Sequence, residues 1–284
     1  MICINCQTKM EPYFIKKTWQ IVRCPSCKLM AVENVPADLS PYYSEGYFMG
    51  DVTLDGYIDY DLDKEVTKKS YLDYLDVLGK YINKQGSVNM FEVGCATGFF
   101  MDLARQRGWQ TEGIDISEYA VKKAQEKGLA ATTATLESYQ SAKKFDVIVM
   151  QDLIEHVKDP VDVINRAKNL LAENGLLLFT TPDAGSLWAR VWNKNWHAFV
   201  PPQHLFYFSA KNLGSILEKN GFKVVHSAHH GKWFTVPYII RLLYSWTGLN
   251  SFSKLAEWSS RSFLKTWAMP INLGDTIFLI ASKQ

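Results

Sequence analysis

From about residue 64 the apolar positions alternate between a helical and a strand period. Val66, Leu72, Leu75, Leu78 and Ile82 recur at helical spacing and predict an amphipathic helix. Val88–Val93 is a short apolar run closed by glycine, which predicts a buried strand, and a helix over Met101–Arg107 follows. Thr111–Ile116 predicts the next strand, with Ser117 as N-cap of a helix over Glu118–Lys127. Ala130–Thr133, Phe145–Met150, Gly175–Thr181, Phe222–Ser227 and Thr276–Ala281 complete seven strands. Helices are expected over Pro160–Ala172 and Asn212–Asn220, the second stopped by Gly221. Strands alternating with helices imply a doubly wound, mostly parallel α/β sheet covered on both faces.

The first 63 residues follow neither period for long. Cys3-x2-Cys6 and Cys24-x2-Cys27 stand 17 residues apart, with β character over Tyr13–Val22 between them. Two such knuckles make a four-thiolate tetrahedral site, so Cys3, Cys6, Cys24 and Cys27 are expected to hold a structural zinc ion in a small ribbon over residues 1–30. A module this small needs its metal to fold. Its charged residues sum to +4, whereas residues 31–63 carry eight acidic residues and no Lys or Arg. That segment is read as a linker, either packing Tyr42, Tyr43, Tyr47, Tyr57 and Tyr60 on the main domain or running as a solvated acidic connector. Residues 64–284 are then one domain, interrupted by an insertion at about 232–273 that holds Trp233, Phe234, Tyr238, Tyr244, Trp246, Trp258 and Trp267. The insertion reads as a helical lid or as a greasy surface for a membrane or a lipid-linked acceptor.

The 284 residues accommodate one good-sized domain and a small module, and a net charge of +2 favours no class of partner. The N-terminus lacks the pattern of a secretory signal, and no apolar run approaches the roughly 20 residues that span a bilayer. A cytoplasmic protein with reduced or metal-bound cysteines is expected.

The informative stretch is Phe91-Glu92-Val93-Gly94-Cys95-Ala96-Thr97-Gly98, an acidic strand end leading through a glycine turn into a helix. Ligands of open parallel sheets bind outside the carboxyl ends of the strands. Asp115 ends the next strand 21 residues after Gly94, where a carboxylate can accept hydrogen bonds from both hydroxyls of a ribose. A dinucleotide site would read G-x-G-x-x-G, whereas this turn reads G-C-A-T-G and follows a carboxylate that would repel a pyrophosphate. The same carboxylate is favourable beside an ammonium group.

The turn resembles motif I of the class I S-adenosylmethionine-dependent methyltransferases, D/E-x-G-x-G-x-G, with Ala96 in place of the middle glycine. Gly113–Ser117 resembles that superfamily's ribose-binding strand end, Phe145–Met150 its fourth strand, and Asn174–Phe179 the turn into its fifth. The resemblance covers about residues 85–230 and implies a Rossmann-like fold that binds S-adenosylmethionine. Glu92, Gly94, Cys95 and Gly98 would line the methionine end, Asp115 would hold the ribose, Ile116 would pack on the adenine, and Gln151 would sit near the cofactor. Ala134–Glu137 would supply the adenine edge.

Methyl transfer to a hydroxyl needs alignment and a proton acceptor. Asp152-Leu153-Ile154-Glu155-His156 is similar to the E-x-x-E-H segment of the ubiquinone-biosynthesis O-methyltransferases, which implies Mg2+ at Asp152, Glu155 and His156. In the wider superfamily E-H-V also occurs without a metal, as a loop anchor. The connector Trp196–Ser209 is rich in Pro, His and aromatics and offers His204 as a base, with His156 as a second catalytic candidate. His226, His229 and His230 are read as structural. The leading expectation is an enzyme that methylates a hydroxyl of a small molecule, sugar or lipid-linked glycan. The alternatives are a ribosomal-RNA base methyltransferase gripping RNA through its ribbon, which the acidic neighbouring segment argues against, and a non-catalytic cofactor-binding adaptor.

Overall fold

A computed structural model of the chain describes residues 1–36, 60–237, 239, 240, 244 and 249–284. The connector expected over 31–63, with the aromatic packing assigned to it, lies almost wholly outside the described residues, as do Tyr238 and Trp246 of the insertion.

The first strands are β1 (Glu11–Lys16), β2 (Trp19–Arg23) and β3 (Met30–Val32), an antiparallel meander with the second cysteine knuckle at its β2–β3 turn and the first just before β1, in a turn closed by the Ile2–Lys9 bridge. β3 runs two residues past the expected end of the ribbon. It continues the sheet onto β9 (Phe206–Tyr207), so a strand from the middle of the chain closes the ribbon's edge. Unpaired edges expose a row of backbone donors and acceptors, and pairing with β9 removes one.

The main sheet is built from β4 (Asn89–Val93), β5 (Gln110–Asp115), β6 (Ala130–Thr133), β7 (Phe145–Gln151), β8 (Leu171–Pro182), β10 (Phe222–His229) and β13 (Thr276–Lys283). The spatial order is β10-β13-β8-β7-β4-β5-β6, and β13 is antiparallel to both of its neighbours, while the β8-to-β6 half is parallel. The chain runs outward from β4 to β6 and then crosses back to β7 on the other side of β4. That reversal opens a crevice at the carboxyl ends of β4 and β7. The seven-stranded Rossmann-like sheet matches the expectation, with β8 starting four residues early, directly after the preceding helix.

Alternation along the strands explains the two cores. Val147, Val149, Leu176, Leu178, Phe278 and Ile280 face helices α1 (Tyr60–Gly79), α2 (Phe99–Gln106) and α3 (Glu118–Glu126). Ile148, Met150, Leu177, Phe179, Leu279 and Ala281 face α4 (Pro160–Leu170) and, further along the chain, α6 (Ala210–Lys219). Each large buried side chain contributes roughly 1.5–3 kcal/mol. Ser117 caps α3 as expected, its hydroxyl accepting from the amide of Ala120 at 3.3 Å. Ser209 and Asn212 form a capping box on α6, and Gly221 (φ +79°) follows its end.

The ribbon shares the second of these cores. Cys3, Met10, Val22, Cys24, Leu29 and Ala31 pack in one cluster with Leu213, Ile216 and Leu217 of α6. Asn5 latches the first knuckle: its carbonyl and its side-chain oxygen accept from Lys219 Nζ, and the side-chain oxygen also accepts from Ser215 Oγ at 3.0 Å.

The described part of the insertion is largely helical, with a strand pair added at its two ends. β11 (Lys232–Thr235) and β12 (Ala268–Ile271) pair antiparallel and bracket a helix, α7 (Asn250–Arg261). Aromatic and β-branched residues favour the strand at its start. The Trp233 amide donates to Ser70 Oγ at 3.1 Å, and Lys69 Nζ lies 3.8 Å from the centroid of its ring, which ties this hairpin to α1. Among the described residues, no helix is long and apolar enough to cross a membrane.

Candidate active site

A cavity of about 490 Å3 opens where β4 and β7 end, a size suited to one small ligand. Glu92, Gly94, Cys95, Asp115, Ile116, Gln151, His156 and His204 all line it, and so do Ala134–Glu137. Gly98 does not. A Cβ there would lie 2.4 Å from Leu129 Cδ1 and 3.1 Å from Ala124 Cβ, so this glycine (φ +77°) admits α3 and the turn before β6 against the start of α2. The left-handed backbone requires glycine here, and the missing Cβ also leaves room for this packing.

The turn itself is held from below. The amides of Gly94 and Cys95 both donate to the carbonyl of Ile114, at 2.8 and 2.9 Å. Ala96 stands at φ +46°, a left-handed position where a methyl group is tolerated at a cost of roughly 1–2 kcal/mol. Its amide donates to Asp115 Oδ2 at 2.8 Å, and the amide of Ser117 donates to Asp115 Oδ1 at 2.9 Å. Asp115 therefore bolts the turn to the strand end while each oxygen keeps a lone pair for a ligand hydroxyl. Burial pushes its carboxyl up, and these amides pull it down. Cys95 lines the cavity, but its sulfur packs against Gly113, and burial pushes its thiol far up.

The opposite wall carries more acceptors than its donors satisfy. Glu92 pairs with Val149 in the parallel ladder, so Gln151, two residues further along β7, reaches over it, its Nε2 donating to Glu92 Oε1 at 3.2 Å. Glu92 Oε2 and Gln151 Oε1 are buried without a hydrogen-bond partner. Two stranded acceptors on one wall suit a ligand bearing several N–H donors, as an ammonium does. Burial raises Glu92 to about 8, against the smaller pull of Gln151 and Lys64. Lys64 and Tyr71 come from α1, which the sequence reading left out of the site. Lys64 Nζ donates to the Tyr71 hydroxyl at 2.6 Å, and both line the cavity. Their apolar-periodic helix precedes every cofactor motif, and nothing local marks them.

At the cavity's other end Glu155, His156 and His204 converge, their ligand atoms all within 4.8 Å of one another. His156 Nδ1 lies 2.9 Å from the Gln203 carbonyl and His204 Nδ1 2.9 Å from the Ala198 carbonyl. A carbonyl only accepts, so each neutral ring carries its proton on Nδ1 and has Nε2 as its accepting nitrogen, that of His156 lying 3.9 Å from Glu155 Oε1. Burial lowers His156 to about 4 and His204 to about 3, which keeps both neutral. Asp152 is not part of this cluster, and its carboxylate accepts from Thr180 Oγ1 at 3.1 Å. The expected Mg2+ set is thus corrected: two imidazoles and one carboxylate are a poor match for a cation that demands oxygen ligands.

This corner is tied to the ribbon. The Glu155 carbonyl accepts from the amides of Leu205 (2.7 Å) and Phe206 (3.1 Å), and the Leu205 carbonyl accepts from Val32 of β3 at 2.9 Å. The four ribbon sulfurs form a second cluster, all within 4.8 Å of one another, with Cys3–Cys27 at 3.5 Å and Cys6–Cys24 at 3.3 Å. Zn–S bonds near 2.3 Å require S–S separations of about 3.8 Å, so the sulfurs fit tetrahedral zinc. His226, His229 and His230 meet Tyr81, Asp183 and Phe278 and lie outside the cavity.

Residues 63–227, more than half of the chain, match the family model described as a methyltransferase domain. A ubiquinone biosynthesis O-methyltransferase of Actinobacillus pleuropneumoniae serotype 5b is 33% identical over 119 residues, 38% of this chain and 51% of that protein. The enzyme of the same name from Bradyrhizobium diazoefficiens is 25% identical over 172 residues, 54% of this chain and 67% of that protein. The chain spans about half the length of the first curated relatives it matches. In fold it resembles magnesium protoporphyrin IX methyltransferase from Synechocystis PCC 6803 with bound SAH (TM-score 0.54, 16% identity, 84% of this chain and 97% of that one).

Proposed function

The chain belongs to the class I S-adenosylmethionine-dependent methyltransferases, and from that premise we propose that it methylates a hydroxyl group of a small molecule, a sugar or a lipid-linked glycan. One observation carries this reading: a single cavity joins the donor-seeking wall of Glu92 and Gln151 to the accepting Nε2 of His204, with His156 beside it. The relatives' name, ubiquinone biosynthesis O-methyltransferase, supports oxygen as the acceptor atom. When bound, S-adenosylmethionine supplies an electrophilic methyl group on a sulfonium.

Glu92 and Gln151 bind the amino-acid end, whose ammonium donates to Glu92 Oε2 and Gln151 Oε1. Asp115 accepts from the ribose hydroxyls, and Ile116 with Ala134–Glu137 flanks the adenine. His204 Nε2 accepts the hydrogen of the acceptor hydroxyl and turns an oxygen lone pair towards the methyl group, with His156 beside it. A base as weak as His204 is sufficient, because a hydroxyl that has gained a methyl group is a far stronger acid than imidazolium. Cys3, Cys6, Cys24 and Cys27 would hold a structural zinc ion, and the ribbon holds the backbone on which His204 sits.

His204→Ala is expected to lower single-turnover methyl transfer by about 10²–10⁴-fold and leave S-adenosylhomocysteine affinity unchanged. Full turnover by a folded variant would remove the proposed base.

A further inference from the structure

A second cavity, of about 1000 Å3, lies between the ribbon and the main sheet. Arg23, Lys28, Arg190, Lys211 and Lys219 line it, against the carboxylate of Asp183. That carboxylate is already satisfied: Oδ2 lies 2.6 Å from His229 Nε2, and Oδ1 accepts from the Gly185 amide at 2.7 Å. Lys219 is engaged by Asn5, and Lys28 Nζ donates to the Pro25 carbonyl at 2.6 Å. Arg190 and Lys211 have no ion-pair partner among the described residues. The Arg23 guanidinium sits 4.9 Å over the Tyr13 ring with its Nε buried and without a hydrogen-bond partner. The hydroxyl of Tyr207, also on this groove and only 2% exposed as a residue, is likewise without one. Like charges gathered around a cavity repel one another, and two buried donors left unmet cost stability. A dianion with several acceptor oxygens removes both penalties.

We propose that this groove is a phosphate-binding site that takes the phosphate or pyrophosphate of the acceptor's carrier group, an inference that rests on the reading of the acceptor given above. The groove and the active-site cavity are neighbours along the chain and in space. Pro182 lines the cavity and Asp183 the groove, and His204 lines the cavity while Tyr207, its ring 6.4 Å away, lines the groove. Arg is suited to gripping phosphate in a bidentate manner, and Arg23 and Arg190 approach from the ribbon and from α5 (Leu187–Trp192) respectively. Leu187 and Val191 of the same short helix are exposed, apolar surface that the chain of a lipid carrier would meet.

The test is calorimetric titration of the full-length, zinc-loaded protein with inorganic pyrophosphate. Binding is expected, weakened about tenfold by Arg190→Ala and by Lys211→Ala and lost in the paired Arg190→Glu and Lys211→Glu variant. These side chains are exposed, so all variants should keep the wild-type melting temperature and S-adenosylhomocysteine affinity. Co-sedimentation with phosphatidylcholine vesicles doped with phosphatidate, lost in the paired variant, would assign the carrier to a lipid. Pyrophosphate binding without co-sedimentation would assign it to a soluble compound. Absence of heat at roughly 10 mM pyrophosphate, or equal binding by the paired variant, would overturn the proposal. So would displacement of pyrophosphate by polyribonucleotide with a steep salt dependence, which would make the groove an RNA grip. Failure of the wild-type protein to bind S-adenosylhomocysteine would instead sink the methyltransferase reading and leave the pyrophosphate result standing.

Discussion

The ribbon and the cofactor cavity each gather polar side chains from separated stretches of chain, but by opposite means. The ribbon's ligands come from two knuckles, one before and one within a short meander, and four thiols around one point satisfy one another only through a metal. The cavity draws Lys64, Glu92, Asp115, Gln151 and His204 from five places, and it relies on the parallel sheet to deliver them. In the ribbon the chemistry organises the backbone. In the cavity the backbone organises the chemistry, and it leaves Glu92 and Gln151 short of partners, a deficit that a ligand corrects. The two meet at β9, where a ribbon strand holds the loop that carries His204.

The strongest way to break this comparison is to remove the metal site. Cys24→Ser should lower the stability of the ribbon and its shared core by at least about 4 kcal/mol, seen as a drop in melting temperature. It should also release amide-exchange protection at Val32, Leu205 and Phe206. Intact protection at Leu205 would mean that the active-site corner stands without the ribbon.

Glu92→Gln is expected to weaken S-adenosylhomocysteine binding by about 3 kcal/mol, read by calorimetry. The pH dependence sharpens this. Glu92, raised to about 8, is mostly protonated in the ligand-free pocket at neutral pH and must lose that proton to pair with an ammonium. Affinity should therefore climb through roughly pH 6–8, level off above that, and become flat in Glu92→Gln. The same shift makes the ligand-free fold's contribution from this residue full below the ordinary 4.5 and lost as pH rises through about 8. A flat wild-type profile would count against the ammonium assignment.

Asp115→Ala should cost about 2 kcal/mol of ligand affinity, and it should also lower the melting temperature because the Ala96 and Ser117 amides lose their acceptor. An affinity loss with no thermal effect would show that the bolt is not needed. The smallest effect is a gain: Ala96→Gly should stabilise the protein by about 1 kcal/mol, since glycine accepts the left-handed turn without strain. Thermal melts should resolve it.

Much of this protein is legible in its one-dimensional pattern. The cysteine spacing, the acidic residue before a glycine turn, the second acid 21 residues on, and the alternation of strand and helix are all local, because each expresses what a few neighbouring residues must do. The tertiary structure alone decided what depends on register and crossover. It set Gln151 over Glu92 through the β4–β7 ladder, placed His204 beside His156, brought Lys64 and Tyr71 in from α1, and left Asp152 out of the proposed metal set. It added a strand pair at the ends of the helical insertion, packed α3 closely against Gly98, and lent the ribbon a fourth strand from residue 206. Side chains distant in sequence meet only where the whole core has settled strand order and register, and that choice is a sum over many small burial terms which no short segment carries.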